Sequence, residues 1–369
     1  MQKKLIALAI AGLASGAAFA QTNVTIYGVA DAAYVYGQGG TPSGVSGNYK
    51  FSGIQSGYLS VSRLGFKGEE ALGNGLKAIF TLEYSLSIDD NSGVGNTTSG
   101  VQARQQFVGL QSDKLGAATL GRQYAPGYLA TVNNDPTGGA TFGTQSILSN
   151  AGGNTITPNN NARWNNSMAY ATPNFSGFTG KLIYGFGESG PQASTSDNGR
   201  FGVGGNYSNG PLNVDLVYQT RQNVNGQFNL PGTGNDINEY YVGAAYDFKA
   251  VKIMGSWQQQ NDKNSTDLDN SVWAIGASIP VMAASNIILS YGQLMWDSNL
   301  RDLAGQKTLN ESTDSATLGW TTNLSKRTTL YAGYVWVQND NRSSSVGLNS
   351  IGARGETNNT FLSGIRHTF

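Results

Sequence analysis

The chain has 369 residues with 50 Gly, 9 Pro, 18 Tyr, 14 Phe and 6 Trp, and 23 Lys+Arg balance 23 Asp+Glu to a formal charge of zero. This balance gives no electrostatic case for binding nucleic acid. There is no Cys, and the one His is His367 near the C-terminus, so disulfides, Cys–His or His-based catalytic groups and ordinary zinc sites are excluded. Composition leaves carboxylate catalysis open, but no arrangement of acids in the sequence suggests it, so we predict a protein that is not an enzyme and that uses no cofactor or metal.

Residues 1–20 are predicted to be a cleaved signal peptide. Lys3 and Lys4 precede an apolar stretch, and Ala18-Phe19-Ala20 forms a small-x-small cleavage site. The apolar stretch is short for a membrane span, which leaves an N-terminal anchor as the weaker alternative. Residues 21–369 are then predicted to form one domain.

The rest of the chain alternates between apolar and polar side chains. In residues 76–84, for example, Leu82 and Tyr84 lie on one face, and Thr81 and Glu83 lie on the other. This period of two is typical of β-strands, because successive side chains point to opposite faces. Sixteen candidate strands begin near Val24, Tyr58, Leu76, Gln102, Ala117, Ala162, Thr179, Phe201, Leu212, Tyr240, Val251, Val272, Asn286, Ser315, Thr328 and Thr360.

The connections between these strands alternate between short and long. Short connections are predicted at 68–75, 112–116, 173–178, 208–211, 249–250, 280–285 and 325–327. Long connections are predicted at 38–57, 90–101, 124–161, 188–199, 221–239, 260–270, 297–314 and 339–359. An antiparallel transmembrane β-barrel with short periplasmic turns and long external loops has this rhythm.

The barrel interpretation also decides which face is inside. The polar faces carry too many charges for a dry core, so we expect them to face a water-filled lumen and the apolar faces to contact lipid. Closure of the sheet satisfies the backbone groups that lipid cannot. Residues 329–337 are apolar on both faces, and their orientation cannot be assigned from the sequence.

Six segments together resemble the trimeric general porins of Gram-negative outer membranes, in their β-proteobacterial form. They are "VTIYGVADAAY" (24–34), "SRLGFKGEEALGNGLKAIFTLEY" (62–84), "RQQFVGLQSDKLGAATLGRQYAP" (104–126), "YATPNFSGF" (170–178), "SKRTTLYAGY" (325–334) and "GIRHTF" (364–369). The resemblance implies sixteen strands, a homotrimer in outer-membrane lipid and lipopolysaccharide, and passive diffusion of small hydrophilic solutes and ions. Two alternatives remain: a solute-specific channel, and a surface barrel acting mainly as an adhesin or receptor.

The resemblance also implies a pore constriction. In the family, the loop after the fifth strand, here about 124–161, folds into the lumen, and its acidic residues face a ladder of arginines. The ladder positions correspond to Arg63, Arg104 and Arg163, and the loop offers Asp135. Alternation places Glu83 and Asp31 on the same lumen side. Val29 stands where enterobacterial porins have a lysine, and the loop is poor in acid, so the sign of selectivity is open. We favour a mild anion preference.

Two further residues carry predictions. Arg122 follows Leu120 at an outward position, where an arginine in lipid is costly. It is predicted to lie in the trimer contact, paired with Asp89 or Asp90 of a neighbour, or alternatively among lipid headgroups. The terminal Phe369 matches the family's signal for the barrel assembly machinery. It is also compatible with a last strand that simply faces lipid.

Overall fold

The structure is a computed structural model that describes residues 23–40, 49–90, 102–187, 194–224, 234–264, 268–297, 312–339 and 355–369. The predicted signal peptide lies outside these residues. Within the described ranges, no helix is both long enough and apolar enough to cross a membrane.

Antiparallel strands make up most of the described chain. They are β1 (Asn23–Gly39), β2 (Tyr49–Ser56), β3 (Arg63–Gly73), β4 (Leu76–Ser85), β5 (Ala103–Ser112), β6 (Gly116–Tyr124), β7 (Arg163–Ala171), β8 (Phe178–Gly185), β9 (Arg200–Asn209), β10 (Leu212–Val224), β11 (Asn235–Asp247), β12 (Lys252–Asp262), β13 (Asn270–Met282), β14 (Ser285–Trp296), β15 (Ser312–Asn323), β16 (Thr328–Gln338) and β17 (Thr357–Thr368). Between β6 and β7 lie the helices α1 (Pro126–Asn133) and α2 (Thr144–Ala151) and a 3-10 turn (Asn160–Ala162).

The strands close into one barrel. From β3 onward each strand pairs with the next one along the chain, and β17 pairs with β1 from Val29↔Thr368 to Gly39↔Asn358. On its other side, β1 pairs with β2 along Ala32–Gly39 and with β3 along Asn23–Val29. Thus β2 and β3 share one position in the barrel, and the predicted sixteen-stranded antiparallel barrel is confirmed.

The predicted strand starts agree with the structure to within five residues, with one strand missed. The prediction of a long loop at 38–57 was wrong at its end, because Tyr49–Ser56 forms β2. Ile54 is the only aliphatic side chain of β2, so its alternation is weak, and pairing with β1 stabilises it. The predicted turn at 68–75 was too long, since β3 continues to Gly73.

The apolar faces of the strands are on the outside. Side chains such as Ile26, Val108, Leu120, Leu216 and Phe361 are more than half exposed, although they are among the most apolar in the chain. The inward faces carry polar and charged groups, many of them buried. This inversion is what a barrel in lipid requires.

The segment 125–162, which we call the inward segment, packs against the inner wall of the barrel. Helix α1 contacts β9, β10 and β11, and helix α2 contacts β13, β14 and β15. Phe142, between the helices, lies fully buried against Tyr331, Val335 and Val337 of β16. These three residues define the inward face of 329–337. Both faces of that strand are apolar because one contacts lipid and the other contacts this segment.

The barrel closes at its seam through the C-terminal residue. The Gly28 N–H donates to the Phe369 carbonyl at 3.0 Å, and the Phe369 N–H donates to the Gly28 carbonyl at 3.1 Å. The Phe369 ring covers Gly28 so closely that a Cβ there would lie 2.3 Å from the ring and 2.8 Å from the Arg63 carbonyl oxygen. Glycine at position 28 therefore allows β1, β3 and the chain end to meet.

We expect Gly28→Ala to destabilise the barrel by about 1–3 kcal/mol, because the new methyl group meets backbone that cannot move away freely. The measurement is the denaturant midpoint of the folded, heat-modifiable form. Gly205→Ala is the matched control, since a Cβ on this strand glycine meets nothing within 4 Å. Equal midpoints for the two variants would show that the seam adapts to the methyl group.

Candidate functional site

Three of the predicted pore residues meet on the inner wall formed by β3, β4 and β5. The Arg104 Nε lies 2.7 Å from Glu83 Oε1, and the Arg63 Nε lies 3.8 Å from Glu83 Oε2. Strand register places these side chains together, because Arg63 and Glu83 lie on adjacent strands on the same face. The Arg104 and Glu83 side chains are almost fully buried, whereas Arg63 is 21% exposed.

Two tyrosines that the sequence analysis did not single out complete this contact. The Tyr27 hydroxyl donates to Glu83 Oε2 at 3.1 Å, and Arg104 Nη2 donates to the Tyr124 hydroxyl at 3.2 Å. Alternation along β1 placed Tyr27 inward, so a signal existed for it. Tyr124 ends β6 at the start of the inward segment, where alternation gives no guidance.

Arg163 joins the group through Tyr124. Its guanidinium carbon lies 5.0 Å from the Tyr124 ring centroid and 5.4 Å from that of Tyr128. These distances are typical of cation–π contacts. The two tyrosine rings stack, with centroids 3.7 Å apart. Burial and the neighbouring Tyr124 raise the pKa of Tyr128 to about 12, so its hydroxyl stays neutral at physiological pH.

We call Arg63, Glu83, Arg104, Tyr124 and Arg163 the constriction cluster, after the pore constriction that the sequence analysis predicts. Three guanidinium groups and one carboxylate leave it with two formal positive charges. Each arginine contacts a neighbour that fixes its orientation, and the single acid is shared between two of them.

Asp31 faces inward but does not contact these arginines directly. Its carboxylate accepts hydrogen bonds from the Tyr331 hydroxyl at 2.5 Å and from the Ser60 N–H at 2.7 Å, and the residue is fully buried. Ser60 links it to the cluster, since Arg63 Nη2 donates to the Ser60 hydroxyl at 3.0 Å. Arg366, which the sequence analysis did not single out, lies directly opposite Asp31 in the β1–β17 pairing.

The structure does not bring Asp135 to the arginines. Its carboxylate accepts from the Thr137 hydroxyl at 2.6 Å and from the N–H groups of Thr137 and Gly139 at 3.2 and 3.0 Å. Asp135 therefore closes the turn between α1 and α2. Burial raises the pKa of its carboxyl, against the opposing effect of these hydrogen bonds.

Glu239 on β11 holds the inward segment against the wall. Its carboxylate accepts from the Thr155 N–H at 2.7 Å, the Ile156 N–H at 2.9 Å and the Thr155 hydroxyl at 2.9 Å. Arg221 on β10 contacts it at 3.0 Å. Glu239 is 1% exposed, and its role was missed because a sequence does not show which strand a long loop will contact.

Asp215 on β10 anchors the C-terminal end of α1. Its Oδ2 accepts from Asn134 Nδ2 at 2.8 Å and from Asn213 Nδ2 at 2.7 Å, and its Oδ1 accepts from Asn206 Nδ2 at 2.9 Å. Further along, Gln145 of α2 donates to the Gln258 side chain on β12 at 2.8 Å. The segment is thus held by side chains from several inner strands.

Arg122 has its contacts at the base of the same segment. It donates to the backbone carbonyls of Ala103 and Arg163 at 3.1 and 3.2 Å, to the Asn160 side chain at 2.8 Å and to the Asn165 side chain. A contact with Asp89 or Asp90 of a neighbouring copy would lie beyond a single chain, so the trimer prediction for these residues stays a prediction.

A closed antiparallel barrel with an apolar outer face and a charged inner wall defines the class of channel-forming outer-membrane proteins. A family model described as Gram-negative porin matches residues 7–342. The chain belongs to the Gram-negative porin family. It is an integral outer-membrane protein that forms a diffusion channel for small solutes.

Individual relatives agree with this assignment. The chain is 33% identical over 379 residues to outer membrane porin protein 32 of Delftia acidovorans, and the match covers all of both chains. It is 31% identical to an outer membrane porin protein of Bordetella pertussis, again over all of both chains. The solved structure of an anion-selective porin from Comamonas acidovorans superimposes with a TM-score of 0.75 at 28% identity, covering 95% of this chain and 100% of the other.

We expect Glu239→Ala to release the inward segment, because it leaves two buried N–H groups without their acceptor and Arg221 without its carboxylate partner. Removing one partner of a buried pair costs about 3–5 kcal/mol. The measurement is the open-channel current of single proteins in a planar bilayer, where a detached segment adds noise.

Glu69→Ala is the matched control, because Glu69 pairs with Lys77 at 3.3 Å on the surface and such pairs contribute about 0–1 kcal/mol. A quiet and unchanged current through the Glu239→Ala channel would show that other contacts suffice to hold the segment.

Proposed function

We propose that segment 125–162 narrows the lumen and that the constriction cluster gives the channel a mild preference for anions. The observation that carries this proposal is the position of the single acid in the cluster. Glu83 lies between Arg63 and Arg104 on the same wall, within 3.8 Å of both. It neutralises one of the three arginines and leaves two positive charges for a passing ion.

The other acids proposed for the constriction do not offset this charge. The Asp135 carboxylate accepts hydrogen bonds within its own turn. Asp31 is buried, accepts from the Tyr331 hydroxyl and lies opposite Arg366. Lys67, whose Nζ lies 5.5 Å from the Tyr27 ring centroid, adds a further cation to the same wall. Rings of charge at a narrow point set the ion selectivity of pores. The similarity to the Comamonas porin, which is anion-selective, supports the same sign.

The remaining features of the proposal follow the family. The channel works as a homotrimer, carries out no catalysis and uses no cofactor. Its outer surface contacts lipid and lipopolysaccharide. Phe369, half exposed at the end of β17, serves as the signal that the barrel assembly machinery binds during insertion.

The test is the reversal potential of the purified trimer in a planar bilayer under a KCl gradient. Anion preference fixes its sign, and conductance in steps of three supports the trimer. A unit charge 4–8 Å from an ion in water contributes about 0.5–1 kcal/mol, so Arg63→Gln should lower the anion permeability and raise the cation permeability, each by roughly two- to sixfold, and lower the anion/cation ratio by the product of the two factors. Glu83→Gln should raise it, and both effects should weaken at high salt.

Arg327→Gln is the control, because Arg327 is an exposed residue outside the constriction cluster. A cation-preferring wild-type channel, or an Arg63→Gln channel with the reversal potential of the control, would refute the proposed role of the cluster.

A further inference from the structure

The inward segment leaves and rejoins the barrel at a narrow neck. The Ala125 N–H donates to the Ala162 carbonyl at 2.8 Å and so continues the pairing of Tyr124 with Arg163. Lys181 of β8 donates to the Tyr124 carbonyl at 2.6 Å. The neck therefore sets where the segment leaves and rejoins the wall, while Glu239, Asp215 and Gln258 hold it further along its length.

The strand ladder is irregular where the neck begins. The pairing of β6 with β7 shifts register between Gly121 and Gln123, and Asn166 on β7 has a positive φ of 45°. Bulges of this kind interrupt ladder hydrogen bonds and re-aim the neighbouring side chains. The backbone alone is thus a weak hinge at the base of the segment.

Arg122 lies in this irregularity and bonds to both sides of it. It donates to the Ala103 carbonyl on β5, the Arg163 carbonyl, the Asn165 side chain on β7 and the Asn160 side chain in the returning chain. A planar guanidinium can hold such acceptors at fixed angles, and a lysine cannot.

Arg122 also reaches the constriction cluster through a shared acceptor. Asn160 Oδ1 accepts from Arg122 Nη2 at 2.8 Å and from Arg163 Nη1 at 3.3 Å. Arg122 therefore fixes both the backbone carbonyl of Arg163 and the amide on which the Arg163 side chain rests.

We propose that Arg122 is a positioning residue. It hydrogen-bonds to both sides of the neck of the inward segment and fixes the position of the Arg163 side chain in the constriction cluster. The proposal rests on the function proposed for that cluster. It gives Arg122 an action within one subunit, whether or not the residue also contacts a neighbouring copy.

The test compares Arg122→Gln, Arg122→Lys and Arg163→Gln channels with wild type in planar bilayers. Arg122→Gln and Arg122→Lys should both show more open-channel noise and an anion preference lowered towards that of Arg163→Gln. The temperature at which the trimer dissociates is measured in parallel and reports any separate contact of Arg122 with a neighbouring copy. Asn160→Ala, which removes the shared acceptor without altering any charge, should have the same effect and should add little to Arg122→Gln.

A rescue separates positioning from charge. The chain has no cysteine, so the A125C/A162C pair can close the neck by a disulfide without competing thiols. Opposed residues of an antiparallel pair lie within the Cα separation that a disulfide spans. Oxidation of this pair in the Arg122→Gln channel should restore a quiet current and the wild-type selectivity, and reduction should remove the rescue.

Three results would overturn the proposal. A wild-type-like Arg122→Lys channel together with no rescue would mean that Arg122 acts through its charge. A lower trimer dissociation temperature with unchanged noise and selectivity would make it only a subunit contact. Unchanged noise and selectivity in every variant would show that Arg122 has no role in positioning the pore residues. A wild-type channel without anion preference would refute the proposed function. The open-channel noise would still test the role of Arg122, because noise is measured independently of ion preference.

Discussion

Backbone hydrogen bonding in lipid is the constraint on which the rest of the structure depends. Each N–H and C=O group that faces hydrocarbon needs a partner within the protein, so the sheet must close on itself. The β1–β17 pairing completes the closure, and the chain end contributes through Phe369 and Gly28. Closure puts the apolar faces outside and creates an interior that side chains of the wall alone do not fill. The chain between β6 and β7 occupies part of that interior.

The inward segment fills part of the polar interior, and the hydrogen bonds that it needs determine which groups the inner acidic residues contact. The segment brings backbone N–H groups and asparagine amides to the wall, and these donors need acceptors once they are buried. Glu239 accepts from Thr155 and Ile156, and Asp215 accepts from Asn134. Asp135 accepts from its own turn. These three carboxylates are therefore occupied by the segment. Glu83 is the acid that contacts Arg63 and Arg104.

Much of the fold could be predicted from the sequence, because alternation and turn spacing are local signals. The sixteen-stranded barrel, the strand starts and the inward orientation of Arg63, Glu83 and Arg104 follow from alternation. The pairing of Glu83 with both arginines on one wall was not predicted, because it depends on the register between strands. The predictions fail where a contact between residues far apart in the sequence determines the local structure. β2 is stabilised by β1 rather than by its own pattern, and 329–337 is apolar on its inner face because Phe142 covers it. Glu239 was missed and Asp135 misplaced for the same reason, since both depend on how residues 125–162 dock.

The placement of Glu83 beside the arginines has a consequence for how the channel discriminates between ions. Acids on one wall and arginines on the other would produce a strong field across the lumen, with little net charge along its axis. In this chain the acid shares the wall with Arg63 and Arg104, so its field largely cancels one arginine at short range. What an ion meets is then a net positive potential that falls off within a Debye length. In the proposed anion-preferring channel, discrimination of this kind depends on the sign of the ion's charge.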